Sequence, residues 1–159
     1  MLNIQNEETF NEIVDKYSAM IYRIAYQNLY NVYDAEDIMQ DVFVQLISKK
    51  SIFMDEEHVK SWLIRVTINL CINYKKTLAR KNTIPIDDLE IEFTESERGI
   101  LEELYLLPKE ERTILYLYYY EGYKIREIAK ILGRKQNTVN SKLTRARKKL
   151  KEIMEVNNE

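Results

Sequence analysis

With a single cysteine, Cys71, and a single histidine, His58, the 159-residue chain can assemble neither a disulfide framework nor a cysteine–histidine metal cluster. Cys71 lies within an apolar helical stretch and reads as a buried, inert thiol, which fits a reducing cytoplasm. His58 has no partner at metal-ligand or triad spacing and reads as a surface or capping residue. Glycine and proline are scarce, at 3 and 2 residues, so long periodic segments run almost uninterrupted and point to an all-helical chain. No run approaches the roughly 18 apolar residues that a spanning helix needs. The N-terminus also lacks a basic stretch followed by an apolar block and a small-residue cleavage site. The expectation is a cytoplasmic protein, neither inserted in a membrane nor exported. A phosphate-binding glycine loop, a Gly-rich cofactor turn and a Ser/His/Asp set are missing as well, so neither an enzyme class nor a cofactor or metal is indicated.

What is present is an uneven distribution of charge. Residues 1 to 76 hold 8 basic and 11 acidic side chains, residues 77 to 108 hold 3 and 8, and residues 109 to 159 hold 13 and 7. The balances of −3, −5 and +6 are hidden inside the near-neutral total of −2. A basic C-terminal segment behind an acidic middle points to an anionic polymer as partner.

Within that basic segment Ile125, Ile128, Ala129, Ile131 and Leu132 recur at helical spacing, Gly133 breaks the pattern, and Val139, Leu143, Ala146, Leu150 and Ile153 begin a second stripe. Two amphipathic helices joined by a glycine-bearing turn form a helix-turn-helix, whose second helix enters the DNA major groove. Opposite its apolar stripe stand Asn140, Ser141, Lys142, Thr144, Arg145, Arg147, Lys148 and Lys149. Their amide, hydroxyl and guanidinium groups suit base edges, and the basic ones suit phosphates. The tyrosines Tyr116, Tyr118, Tyr119 and Tyr120 are read as packing around the base of this motif.

Upstream, Phe10, Ile13, Val14, Tyr17, Ile21, Ile24, Ala25 and Leu29 define a first helix, with Asn6 or Thr9 as its cap. After a polar break at Asn31 to Tyr33, Ile38, Met39, Val42, Phe43, Leu46 and Ile47 line one side of a second helix, while Asp34, Asp37, Asp41 and Gln45 line another. Charges near a helix N-terminus favour its dipole, which accounts for Asp34, Glu36 and Asp37 but not for the continuation of the ridge to Asp41 and Gln45. The apolar residues Ile52, Phe53 and Met54 interrupt a polar loop and are expected to tuck into the core. A third helix follows, buried through Val59, Trp62, Leu63, Val66, Leu70 and Tyr74, with Lys60, Arg65, Asn69, Asn73, Lys75 and Lys76 more exposed. Residues 77 to 97 lose periodicity, become acidic from Asp87 to Glu97 and read as a flexible linker. Helices around the Leu107–Pro108 break support the helix-turn-helix. The fold class is therefore all-α, with two small helical domains joined by an acidic linker.

Three separated motifs, DAEDIMQDVFVQL, WLIRVTINLCINYKK and LPKEERTILYLYYYEGYKIREIAKILGRKQNTVNSKLTRARKKL, occur in an order and spacing that resembles the sigma-70 family of bacterial RNA polymerase specificity subunits, in its small extracytoplasmic-function branch. The resemblance implies that residues 1–76 are the family's region 2 and residues 98–159 its region 4, with 77–97 between them. It implies core-polymerase contacts by Asp37, Gln40, Asp41 and Gln45, since charged side chains suit a steered, reversible association. It also implies minus-ten contacts: Phe53 and Asn69 around a base flipped from the non-template strand, with Arg65, Lys75 and Lys76 on the backbone. Minus-thirty-five contacts fall to Asn140, Ser141, Lys142, Thr144, Arg145, Arg147 and Lys148. The implied partners are core RNA polymerase, promoter DNA and a separate anti-sigma protein, with the free chain a monomer.

Three departures from the family pattern matter, one of them Asn73, which stands where an acidic residue is common. Lys135 stands where a small polar capping residue is common, leaving Asn137 to take over, and Asn140 stands where a basic residue is common. Asparagine suits adenine better than guanine, so promoter sequence does not transfer from relatives. The rival reading is a stand-alone helix-turn-helix regulator, which has no need of the acidic ridge in the N-terminal half.

Overall fold

The computed structural model describes residues 1–49, 52–81 and 103–157, with the backbone alone for 75–81 and 157. The chain divides into two compact units, Met1–Glu90 and Ile91–Glu159.

The first unit packs three helices, α1 (Glu7–Leu29), α2 (Val32–Ser48) and α3 (Glu56–Lys81). Asn6 caps α1 by accepting the Thr9 N–H, and Asn31 caps α2 by accepting the Asp34 N–H at 3.0 Å, each satisfying a donor the helix leaves open. Only Tyr30 and Asn31 separate the two helices, so α2 starts two residues before the expected Asp34. Tyr30 makes the corner in the left-handed region at φ 50°, its N–H donating to the Tyr26 carbonyl. At the head of α3, Asp55 accepts the His58 N–H, and His58 Nδ1 in turn accepts the Met54 N–H. This is a reciprocal cap in which the lone histidine serves as the expected capping group.

Ile21, Ile24, Ile38, Val42, Leu46, Leu63, Ile64 and Cys71 form the centre of this core. Cys71 is the expected buried thiol. Two assignments change. Ile47 is 49% exposed, because it lies just past the arc of α2 that faces α1. The buried arc of α3 passes through Ile64 and Thr67, with the Thr67 hydroxyl donating to the Leu63 carbonyl. In addition, α3 continues to Lys81, five residues into the segment expected to be linker; the acidic stretch Asp87–Glu97 lies outside the described residues.

In the second unit residues 103–105 are helical, and α4 (Lys109–Leu115) runs into a π-turn at Tyr116–Tyr120. Next come α5 (Ile125–Leu132) and α6 (Gln136–Asn157), which are the helix-turn-helix. Gly133 closes α5 at φ 65°. The Arg134 N–H reaches the Ala129 carbonyl and the Gly133 N–H that of Lys130, the paired bonds that end a helix through a left-handed residue. Open space surrounds the Gly133 Cβ position, so glycine is required there by its φ alone. Ile114, Leu117, Ile128, Val139, Leu143 and Ala146 fill the core.

Candidate nucleic-acid interface and docking face

On α2 the ridge residues Asp37, Gln40, Asp41 and Gln45 are all exposed. Asp34, at the start of the ridge, is instead half-buried and accepts the Tyr74 hydroxyl at 2.6 Å. This bond ties α2 to α3 and takes Asp34 out of the outward set. Burial, then the neighbouring Asp34 and Asp41 charges, push the Asp37 carboxyl above its ordinary value. No cation among the described residues is paired with Asp37 or Asp41. Within this polar face sits Val44, 60% exposed and overlooked by sequence reasoning because a lone valine gives no periodic signal. Uncompensated acid around an exposed apolar side chain is a surface that gains from a cationic, partly apolar partner.

A second surface lies at the head of α3. His58, Trp62, Arg65, Asn69 and Asn73 recur at three- and four-residue intervals and share one helix face. Arg65, Asn69 and Asn73 are exposed. Phe53 is buried, as the expected tuck of its loop implies. Its ring is 0% exposed, set edge-on to His58 and Trp62 at centroid separations of 5.1 and 5.7 Å. Its carbonyl accepts the Leu2 N–H at 3.0 Å. The loop thus tucks in by Phe53 alone, leaving Ile52 and Met54 exposed. The Lys49 ammonium lies 4.8 Å from the centre of the half-buried Trp62 ring, which sets a cation and an aromatic side by side. The side chains of Lys75 and Lys76 lie outside the described residues.

The third surface is the outward face of α6. At about 100° per residue, Asn137, Asn140, Ser141, Thr144 and Lys148 fall in one arc, and all five are exposed. The Thr144 hydroxyl donates to the Asn140 backbone carbonyl, and the Asn140 and Ser141 side chains are exposed. Lys135 stands at the N-cap, its carbonyl accepting the Val139 N–H, and Asn137 follows in the first turn.

The basic residues of this motif are not equivalent. Glu110 on α4 takes Lys142 at 2.5 Å and Arg134 at 2.8 Å. Glu111 takes Lys149 at 3.3 Å and Arg145 at 3.7 Å. Lys142 therefore leaves the outward set: its ammonium is turned to α4. Arg145 is half engaged by Glu111 while still exposed. Arg147 lies against the π-turn, its guanidinium 5.1 Å from the Tyr118 ring centre and 5.3 Å from that of Tyr119, with Nε donating to the Tyr119 hydroxyl. Of the four tyrosines, only Tyr116 is buried as expected. Tyr118 is half-buried, and Tyr119 and Tyr120 are about as exposed as Val44.

Partial burial works to raise the Glu110 carboxyl, but hydrogen bonds from Lys142 and Arg134 outweigh it and hold the group below its ordinary value. A carboxylate depressed by folding stabilises above its unfolded pKa, and that stabilisation is lost as pH falls through the folded value. The second unit is expected to lose stability as pH drops below about 4.5. Glu110→Gln should flatten that dependence while lowering stability at pH 7, as read by urea melts at pH 7 and 4; equal slopes in the two proteins would remove Glu110 as the cause.

Set beside known proteins, residues 13–81 match the family described as Sigma-70 region 2, and residues 98–150 match Sigma-70, region 4. The RNA polymerase sigma factor SigV of Bacillus subtilis is 31% identical over 134 residues, covering 80% of each chain. The ECF RNA polymerase sigma factor SigW of the same organism is 28% identical, covering 92% of this chain and 89% of its own. In fold, the chain is similar to the sigma factor RpoE solved with the anti-sigma factor NepR from Bartonella quintana, with TM-score 0.78 and 21% identity over 92% and 97% of the two chains. It is likewise similar to CnrH solved with the cytosolic domain of CnrY, with TM-score 0.71 and 21% identity over 95% and 90%.

Proposed function

The chain belongs to the sigma-70 family of RNA polymerase sigma factors, in its extracytoplasmic-function branch, and from that premise we propose how its surfaces divide the work. It binds core RNA polymerase and directs promoter-specific initiation. The observation that carries the assignment of surfaces is the contrast between the two units: one exposes the carboxylates Asp37 and Asp41, which hold no cation among the described residues, the other a polar and basic recognition helix. An acidic helix face repels DNA and suits a protein partner, so α2 is the core-polymerase contact, through Asp37, Gln40, Asp41, Gln45 and Val44. The α6 face reads the minus-thirty-five element with Asn140, Ser141, Thr144 and Arg145, while Arg147 and Lys148 hold its backbone.

The minus-ten element falls to the head of α3. Arg65 and Asn69 present donors beside the Trp62 and Lys49 platform, and an extruded base can stack there at a modest unstacking cost. Phe53 supports this platform from beneath. Residues 1–81 act as region 2 and residues 98–159 as region 4. The chain supplies recognition, and the polymerase performs the chemistry. No described helix is long and apolar enough to cross a membrane; the proposed place of action is the cytoplasm, on the nucleoid when polymerase-bound. A separate anti-sigma protein is the proposed regulator, supported by the two similar structures, each solved with a protein of that kind or with a partner's cytosolic domain.

The test is to add the purified protein to sigma-free core RNA polymerase with fragmented genomic DNA of its source and to map transcript 5′ ends. Discrete starts preceded by two shared motifs are expected. Discrete DNA sites bound without polymerase, and no starts, would overturn the reading in favour of a stand-alone regulator.

A further inference from the structure

A DNA phosphate is best held by a cation that is fixed in place before binding and is not already neutralised. The basic side chains of the turn and recognition helix can be sorted by those two requirements. Arg134, Lys142, Arg145 and Lys149 are fixed, but by Glu110 and Glu111, which also cancel their charge. Lys135, Lys148 and Lys151 are exposed and have neither an ion pair nor a hydrogen bond from their ammonium groups among the described residues. Arg147 alone among these eight meets both requirements. Two aromatic faces and one neutral hydroxyl hold it, and its two terminal amino groups take no acceptor among the described residues.

The holder depends on the π-turn. In an α-helix neighbouring residues point about 100° apart and do not share a target. In the wide turn at Tyr116–Tyr120, closed by the Glu121 N–H on the Tyr116 carbonyl, Tyr118 and Tyr119 meet edge to face at 4.9 Å and both reach the same guanidinium. The stacked pair Tyr116 and Tyr120, 5.0 Å apart, and the Tyr116 hydroxyl on Glu121 brace the turn from its other side. On α6, Arg147 lies at the edge of the outward arc, on the same side as Asn140. An edge position suits the backbone that flanks a groove, where the centre of the arc suits base edges.

We infer that Tyr118 and Tyr119 are positioning residues that hold Arg147 as a preformed clamp for one DNA backbone phosphate beside the recognition helix. The clamp rests on the sigma reading above. It fixes register without reading sequence, because a phosphate carries no base identity.

The test measures holoenzyme binding to the mapped promoters over a range of salt, for Arg147→Ala, Tyr119→Phe and the double variant. Arg147→Ala is expected to weaken binding about tenfold on every promoter alike, and to reduce the slope of log affinity against log salt by about 0.9. Tyr119→Phe keeps the ring, removes the hydroxyl, and is expected to cost about threefold. In the Arg147→Ala background the same change is expected to cost nothing, because the group it positions is gone. A Tyr119→Phe loss of equal size in both backgrounds, or an Arg147→Ala protein with an unchanged salt slope, overturns the clamp. Wild-type holoenzyme that fails to bind those promoters overturns the sigma reading itself.

Discussion

An Asp37→Ala, Asp41→Ala protein is expected to lose promoter-directed transcription while folding at least as well as the wild type. Both side chains are exposed and neither holds a cation among the described residues. Asp37 is moreover pushed up by burial and by its acidic neighbours. A carboxyl whose pKa is raised by folding disfavours the folded state in its ionised form. Removing it should leave the melting temperature unchanged or slightly higher. Core binding should move the other way. Deleting two carboxylates that meet cations at an interface costs about 3 kcal/mol, roughly a hundredfold in affinity, with most of the loss at low salt where steering is strongest. Equilibrium binding of the labelled chain to core polymerase, with a thermal melt in parallel, separates the two effects. Unchanged affinity would place the polymerase contact elsewhere, whatever the melt does.

Phe53→Ala is expected to do the reverse and unfold the first unit. The ring is wholly buried between His58 and Trp62, and its backbone pairs with Leu2. Truncating a phenylalanine in such a site costs about 3–5 kcal/mol, a large share of what a small domain has in reserve. Phe53→Leu, which fills most of the volume, should cost about 1 kcal/mol and leave promoter opening near normal. If the alanine protein melts like the wild type and still fails to open promoters, the ring contacts the extruded base directly and is not merely the underside of the Trp62 platform.

The helix-turn-helix was legible because its information is local. A 3.6-residue apolar period and one glycine in the left-handed region define α5, the turn and α6 without reference to anything distant. The acidic ridge was legible for a similar reason, since carboxylates continuing past the first turn of α2 exceed what the helix dipole explains. What escaped depends on partners far apart in sequence. Nothing around Lys142 announces that Glu110 will claim it, and nothing in a mixed apolar loop says that Phe53 turns in while Ile52 and Met54 turn out. The π-turn escaped for another reason: YLYYY satisfies an α-helical pattern equally well, and the contacts that accompany the wider hydrogen-bond spacing, of Tyr118 and Tyr119 with Arg147 and of Tyr116 with Tyr120, are tertiary or local packing that periodicity does not record.

That wider spacing has a hereditary side. A turn closed between residues five apart holds one residue more than a turn closed between residues four apart, so the π-turn carries one residue, and hence one codon, more than an α-helical turn would. Deleting that codon would restore an ordinary helix from Lys109 onward and leave every apolar contact type available. It would also rotate the tyrosines off Arg147 by about a quarter of a turn. Point substitutions along the segment act in small steps, whereas one in-frame deletion resets its whole register and with it both tyrosine contacts to Arg147.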